Sequence, residues 1–400
     1  MNQGDRRLKV VIAYHFFPHY REGIIKQLRA SKSPEYVFVA DSIDPGHEVK
    51  ELDLSQAWIA DKFRRARCFV NANWFWQPGL LGQAVSSGAG TWVLLSLPTN
   101  ISVWTTAVSG RLLGKNVVFW GHGWSKRCGA LRGSIRRSFF GLATSVLLYG
   151  HRAKALAIED GFPPDRLHVV YNSLSHSKQV KLRAKAGVGL SIAERSKYFA
   201  NAQFPTLICS SRLTLQRDLP LAFHAMSKLK REGLETNLLL LGDGPERQQL
   251  EALAQGLNLS VCFAGACYDE AKIACLMQLA NLTVSPGNIG LTAVHSLTYG
   301  VPVITHSDSS HQGPESEAVI DGWNGILFRR GDVNDLARAI REGLSRFSQI
   351  DETRERCYEV VDRFYNPAHQ AMIIERAVRG EPAIDDGWDE FLSSRIRQAL

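Results

Sequence analysis

Residues 284–304 read VSPGNIGLTAVHSLTYGVPVI. A short apolar run over 281–285 leads into Pro286, Gly287 and Asn288. Gly290 then opens a helical stretch that stops at Tyr299 and Gly300, and Val301, Pro302, Val303 and Ile304 begin a second buried run. The pattern is strand, loop, helix, strand. Gly290 lets the backbone approach a ligand, and the unpaired N–H groups and dipole of a helix start suit a phosphate. One such unit is weak evidence; its weight comes from the chain around it.

Short β-branched runs alternate with helix-length stretches almost throughout. Strands are expected over 9–14, 36–40, 67–71, 91–96, 116–120, 145–149 and 167–170, then over 206–210, 237–241, 261–265, 282–285, 301–305 and 325–328. Continuous apolar strands alternating with helices predict parallel sheets covered on both faces. The fold class is therefore α/β, with two doubly wound Rossmann-like domains. The stretch 175–205 lacks strand-like runs, and its latter part is expected to connect the domains. The expected division is 1–190, 191–365 and a helical segment 366–400. Ligands of open α/β sheets bind beyond the carboxyl ends of the strands, so a cleft between two such domains is the natural site.

Bulk properties narrow the classes. Four hundred residues suit two domains, and 45% hydrophobic with 22% charged residues is globular. The net charge of +8 points to an anionic partner without naming it. No RNP-like aromatic strand or recognition-helix signature accompanies the charge, which argues against nucleic acid. The seven cysteines form no CxxC pair and lie partly in apolar runs, as expected of reduced thiols in the cytoplasm and not of a metal site. The apolar run near the N-terminus reads as a first core strand, and nothing approaches the roughly 20 apolar residues of a membrane span. Any membrane contact is expected to be peripheral, on the inner face.

The residues to weigh are those just after strands. Arg212 and Arg217 follow 206–210, where two guanidiniums can clamp a diphosphate; two surface arginines is the competing reading. Gly242-Asp243-Gly244-Pro245-Glu246 is mainly a tight strand-to-helix turn. In the first half, His122 stands between Gly121 and Gly123 at a strand end, placed to meet a small polar ligand or simply structural. The loop 15–23 carries Arg21, Glu22 and Gly23; Arg21 suits either an anion or a helix start. Asn172 ends the last first-half strand, where it caps a turn or faces the cleft.

Taken together, SSRLTLQRD, LLLLGDGPERQQL, VSPGNIGLTAVHSLTYGVPVITH and DGWNGILFRRGDVNDLARAI resemble, in order and spacing, the group 1 nucleotide-sugar-dependent glycosyltransferases of GT-B fold. The likeness is strongest over 206–344, with weaker agreement at His122-Gly123-Trp124. It implies that Arg212 takes the diphosphate-binding arginine position and Arg217 that of the usual lysine, keeping the charge. It implies donor binding by Gly242 and by Gly287, Asn288, Ile289, Gly290, Leu291 and Thr292, and a donor-sugar contact from His122. One departure stands out. The family places glutamates eight residues apart where this chain has Gly287 and His295. An imidazole at 295 can share the second glutamate's contact with the ribose. The polar run HSDSSHQGPESEA after 301–305 is expected to supply missing sugar or ribose contacts, with Glu315 or Glu317 foremost.

The resemblance implies transfer of a sugar from a nucleoside-diphosphate sugar to a hydroxyl of a lipid-linked or growing saccharide. It implies retention at the anomeric carbon and neither cofactor nor metal, with cationic side chains and a helix dipole stabilising the leaving diphosphate. The basic, aromatic first domain, with Trp74, Trp76, Trp104, Trp120 and Trp124, suits an anionic lipid-linked acceptor or an anionic membrane surface, or else these are core residues and a solvated face. Two readings compete with transfer. One is a catalytically silent sugar-nucleotide or glycan-binding protein on the same fold; the other is a sugar-nucleotide epimerase.

Overall fold

The structure, a computed structural model, describes residues 8–44, 49–185 and 192–399. The chain divides into two compact units, Met1–Ser175 with Asn366–Asp385, and His176–Tyr365 with Asp386–Leu400.

In the first unit, strands β1 (Lys9–Phe16), β2 (Glu35–Asp41), β3 (Phe63–Arg65), β6 (Thr91–Leu95), β7 (Asn116–Gly121), β8 (Ser145–Leu148) and β9 (Leu167–Val169) form one sheet. Its order is β3-β2-β1-β6-β7-β8-β9 and every pairing is parallel. Strand interiors such as Val10–Ala13 and Val117–Trp120 are almost wholly buried, because helices cover both faces. The expected strand over 67–71 is corrected. The edge strand lies earlier, at β3, after which the Asp41 carboxylate accepts from the Cys68 N–H at 2.8 Å and the chain leaves the sheet. Residues 69–71 instead form β4 (Phe69–Asn71), antiparallel to β5 (Trp74–Trp76), around Ala72 at φ +52°.

The second unit has six parallel strands, β10 (Thr206–Ser210), β11 (Asn237–Leu241), β12 (Ser260–Gly265), β13 (Leu282–Ser285), β14 (Val303–His306) and β15 (Gly325–Phe328). Their order is β12-β11-β10-β13-β14-β15. The chain winds outward from β10 to β12, then returns to the other side of β10, so the order reverses between β10 and β13. That reversal opens a crevice at the carboxyl ends of those two strands. In the first unit the equivalent reversal falls between β1 and β6.

The expected boundary at 190 falls on residues outside those described, and the units part earlier, at Ser175/His176. The helix His176–Lys185 belongs to the second unit, where Arg183 donates to both Asp362 oxygens and His176 bonds Asp362 at 2.7 Å. The segment 366–400, expected to pack back on the first domain, divides between the two units. The helix Pro367–Val378 lies in the first unit, where the Val378 carbonyl accepts from Thr91. The helix Trp388–Ala399 lies in the second, with Trp388 edge-on to Phe364 at 5.0 Å. All seven cysteines are free thiols, of which Cys68, Cys209 and Cys357 are buried. No described helix is long and apolar enough to cross a membrane.

Candidate functional site

In the second unit, the loops after β10, β11, β13 and β14 meet at the crevice edge. The arginine loop leaves β10 and is sewn to the turn after β11: Leu213 N–H donates to the Asp243 carbonyl at 2.9 Å, and Glu246 N–H to the Leu213 carbonyl at 3.2 Å. Glycine is compulsory in that turn. A Cβ on Gly242 would stand 1.9 Å from the Ser211 carbonyl oxygen, and one on Gly244 2.3 Å from that of Leu213. Gly242 thus positions the arginine loop through close backbone packing. Arg212 is exposed at the tip, while Arg217 is half-buried and its guanidinium donates to the Asn288 carbonyl. Burial disfavours the charged form of Arg217, with nearby Cys209 and Glu315 working the other way.

The loop after β13 rests on this arginine loop. Gly287 N–H donates to the Arg217 carbonyl at 3.0 Å and Asn288 N–H to that of Gln216 at 3.4 Å. A Cβ on Gly287 would lie 2.2 Å from the Gln216 carbonyl oxygen, so no side chain fits where the family carries its first glutamate. Ile289 N–H is taken by the Gln312 carboxamide at 2.9 Å. Gly290, at φ +51°, and Leu291 then turn the chain into the helix Thr292–Thr298. Thr292 anchors that helix start to β10 by donating its hydroxyl to the Ser210 carbonyl at 2.7 Å.

Glu315, 5% exposed, comes to the same loop from beyond β14. A Cβ on Gly313 would stand 2.8 Å from Glu315 Oε2, 3.3 Å from Gly290 Cα and 3.4 Å from Asn288 Oδ1, so those groups surround one point. The polar run after β14 therefore delivers a buried carboxylate beside the position where Gly287 excludes one.

His295 lies on the helix with Nε2 2.8 Å from Glu270 Oε1. The same oxygen accepts from Tyr299 at 2.6 Å and from Gln179 at 2.9 Å. Burial pushes the Glu270 carboxyl up, but these donors override it and hold it at about 2. Gln312 belongs to the polar run singled out after β14, whereas sequence reasoning missed Glu270. Asp269 caps the helix Glu270–Gln278, so Glu270 reads from sequence as a favourable first-turn acid and nothing more.

In the first unit, Gly121 and Gly123 frame His122 for packing reasons. Their Cβ atoms would stand 2.2 Å from Ser96 Oγ and 2.3 Å from Leu148 Cδ2. His122 itself is exposed, its ring 5.0 Å from that of Tyr149. Arg21 is buried, with its guanidinium carbon 4.5 Å from the Trp120 ring centroid and 4.8 Å from that of Tyr14. It donates to the Tyr149 hydroxyl. Among the other residues singled out in this unit, Trp124 departs from expectation. Trp124 is fully buried, stacked on Phe140 at 4.0 Å with its indole N–H on Asp160 at 2.9 Å, so it is core. Glu22 pairs along its helix with Lys26, and Gly23 allows close approach to the Leu174 carbonyl, which a Cβ would meet at 2.7 Å. Asn172 is buried and accepts from the Ser173 N–H at 3.2 Å.

The sequence model described as "Glycosyl transferases group 1" matches residues 191–361, which carry the loops of this crevice. The second unit matches the group 1 glycosyl transferase model over most of its length. Among curated relatives, the lipopolysaccharide core biosynthesis glycosyltransferase LpsE of Rhizobium meliloti is 28% identical over 178 residues, 44% of this chain and 50% of that protein. The chain thus spans about half the length of that relative. Among solved structures, the apo form of the lipopolysaccharide outer core galactosyltransferase WaaB superposes with a TM-score of 0.65 at 15% identity, over 93% of this chain and 99% of that one. Anabaena HepE in complex with UDP does so with a TM-score of 0.66 at 14% identity, over 93% and 99%. The fold is GT-B.

Proposed function

We propose that this protein transfers a sugar from a nucleoside-diphosphate sugar to a hydroxyl of a lipid-linked or growing saccharide, of the lipopolysaccharide or glycolipid kind. The observation that carries the reading is the interlock of two loops at the β10/β13 crevice, with Arg217 bound to the backbone of the Gly290 loop and Arg212 exposed beside it. Cations and a helix start at such a loop support binding of a departing diphosphate as it gathers charge. In this reading Arg212 and Arg217 neutralise the leaving group without a metal or cofactor, and the anomeric configuration is retained. Glu270, ionised, holds His295 by Nε2 and leaves Nδ1 for a ribose hydroxyl. Glu315 supplies the carboxylate for the sugar, and His122 is the first unit's contribution. The donor and the saccharide acceptor are the partners, with no nucleic acid, and work proceeds at the cytoplasmic face of a membrane.

The test is turnover. Purified protein is incubated with each common nucleotide sugar and with short lipid-linked saccharides, and diphosphate release and product anomer are followed by NMR. Release coupled to a product of unchanged anomeric configuration is expected. Tight nucleotide binding with no release on any acceptor would overturn transfer and favour the binding-only reading, which the absence of acids at Gly287 and His295 supports.

A further inference from the structure

The β4–β5 hairpin leaves three large aromatic side chains in water. Phe69, Trp74 and Trp76 are 54, 57 and 48% exposed. The register pairs Phe69 with Trp76 and Asn71 with Trp74, so all three aromatics project from one face. On the other face Phe75 ties the hairpin to the unit. Phe75 N–H donates to the Thr99 carbonyl at 3.0 Å, and the Phe75 ring lies 5.6 Å from His15. Gln77, buried at the hairpin's base, donates to the Tyr14 and Ala66 carbonyls at 3.0 and 3.1 Å. The platform is therefore held firmly while its aromatic face stays exposed, and exposed Ile101 follows Asn100, which bridges Phe75. A patch of this kind on a small, isolated hairpin has no folding rationale and marks an interaction surface.

Charge identifies the partner. Between Asp61 and Glu159 the sequence holds no carboxylate side chain, yet it carries thirteen Lys and Arg. Twelve of the twenty-one large apolar residues left exposed among the described residues fall in that same stretch. Exposed Arg67 stands two residues before Phe69. Lys62, Arg65, Arg127, Arg136 and Arg137 pair with carboxylates from outside the stretch. The excess of cations left there, with Arg67 beside the aromatic face, matches a bilayer surface: anionic head groups meet the arginines and tryptophans settle at the interface.

We propose that this hairpin face docks the protein on an anionic phospholipid surface. The docking deepens the transferase reading by giving a lipid-linked acceptor a defined side of approach, and to that extent rests on it. The surface itself belongs wholly to the first unit.

The test is co-sedimentation of the full chain with vesicles of phosphatidylcholine alone or mixed with phosphatidylglycerol, for the natural sequence and for the Trp74→Ala/Trp76→Ala double variant. Both residues are exposed, so the variant keeps its melting temperature. Binding is expected only to phosphatidylglycerol-containing vesicles, weakened by salt, and lowered roughly tenfold or more in the variant as apolar area is lost. Lipids carrying a quencher along the acyl chain dim tryptophan emission in the natural protein only. Failure of the natural protein to bind, equal binding by the variant, or a variant that changes only oligomeric state would each overturn the proposal. The last would assign the face to a second copy. A nucleoside-diphosphate thermal shift in both proteins separates the two ideas. Vesicle binding without any such shift leaves the docking surface standing and removes the transferase reading.

Discussion

Gly287→Ala adds one methyl group where there is no room for it. The new Cβ would stand 2.2 Å from the Gln216 carbonyl oxygen and 2.8 Å from the Arg217 carbonyl carbon, both backbone atoms. The first contact is about 1 Å short of an ordinary one, so the β13 loop must lift off the arginine loop. Lifting loosens the bonds from Gly287 N–H to Arg217 and from Asn288 N–H to Gln216. Two backbone hydrogen bonds at ~1 kcal/mol each, with ~1–3 kcal/mol of overpacking strain, give a loss of about 3–5 kcal/mol. For a unit of this size that lowers the melting temperature by on the order of 10 °C. The moved loop carries Gly290 and the helix start, so affinity for a nucleoside diphosphate falls as well. Calorimetric melting and isothermal titration read the two effects. Gly287→Glu, which restores the family's residue, fares worse and not better. A Gly287→Ala protein melting within about 1 °C of the natural one and binding nucleotide equally would refute the steric argument.

Other outcomes follow from the same geometry. Glu315→Gln leaves the affinity for a free nucleoside diphosphate unchanged but removes the extra affinity of the sugar conjugate, as titration with both ligands would show; an unchanged increment rules Glu315 out as a sugar contact. Glu270 is depressed from an ordinary 4.5 to about 2, so its contribution is present above pH 4.5 and lost as pH falls towards 2. The natural protein therefore loses about 1 kcal/mol more stability than Glu270→Gln between pH 7 and pH 4. Equal losses in denaturant melts at the two pH values contradict this. His168 is buried, which holds its imidazole down at about 4. The unfolded chain takes up its proton first, so the first unit loses about 2 kcal/mol through this residue between pH 7 and pH 5. His168→Gln flattens that slope, and a slope left unchanged would exclude the histidine as its source.

Much of this was legible because parallel sheets buried on both faces write themselves as continuous apolar runs, and twelve such runs placed every strand of both sheets but β3. The run at 67–71 misled because apolar content does not reveal whether an edge segment stays paired. There the Asp41 carboxylate, 27 residues away, decided the path. In the second unit the arginine and Gly290 loops could be read from glycine placement after strands. Their interlock could not, since it depends on a Cβ missing from Gly287 and a carbonyl at Gln216. Glu270 was hidden for a similar reason: sequence shows an acid in a helix's first turn, whereas its donors come from two other elements, Gln179 from the helix His176–Lys185 and His295 and Tyr299 from the helix Thr292–Thr298 and its C-cap. Trp124 looked accessible beside His122 and is instead packed on Phe140, because sequence places a residue on a loop without showing which way its ring turns.

The most direct test of the central claim is titration of UDP, GDP, dTDP, ADP and CMP into the natural protein and into Arg212→Ala. Arg212 is exposed, so its removal spares the fold while taking a cation from the crevice. The account predicts that one of the diphosphates binds, and that Arg212→Ala binds it at least tenfold more weakly with an unchanged melting temperature. No binding by any of them, or equal binding by both proteins, would contradict it.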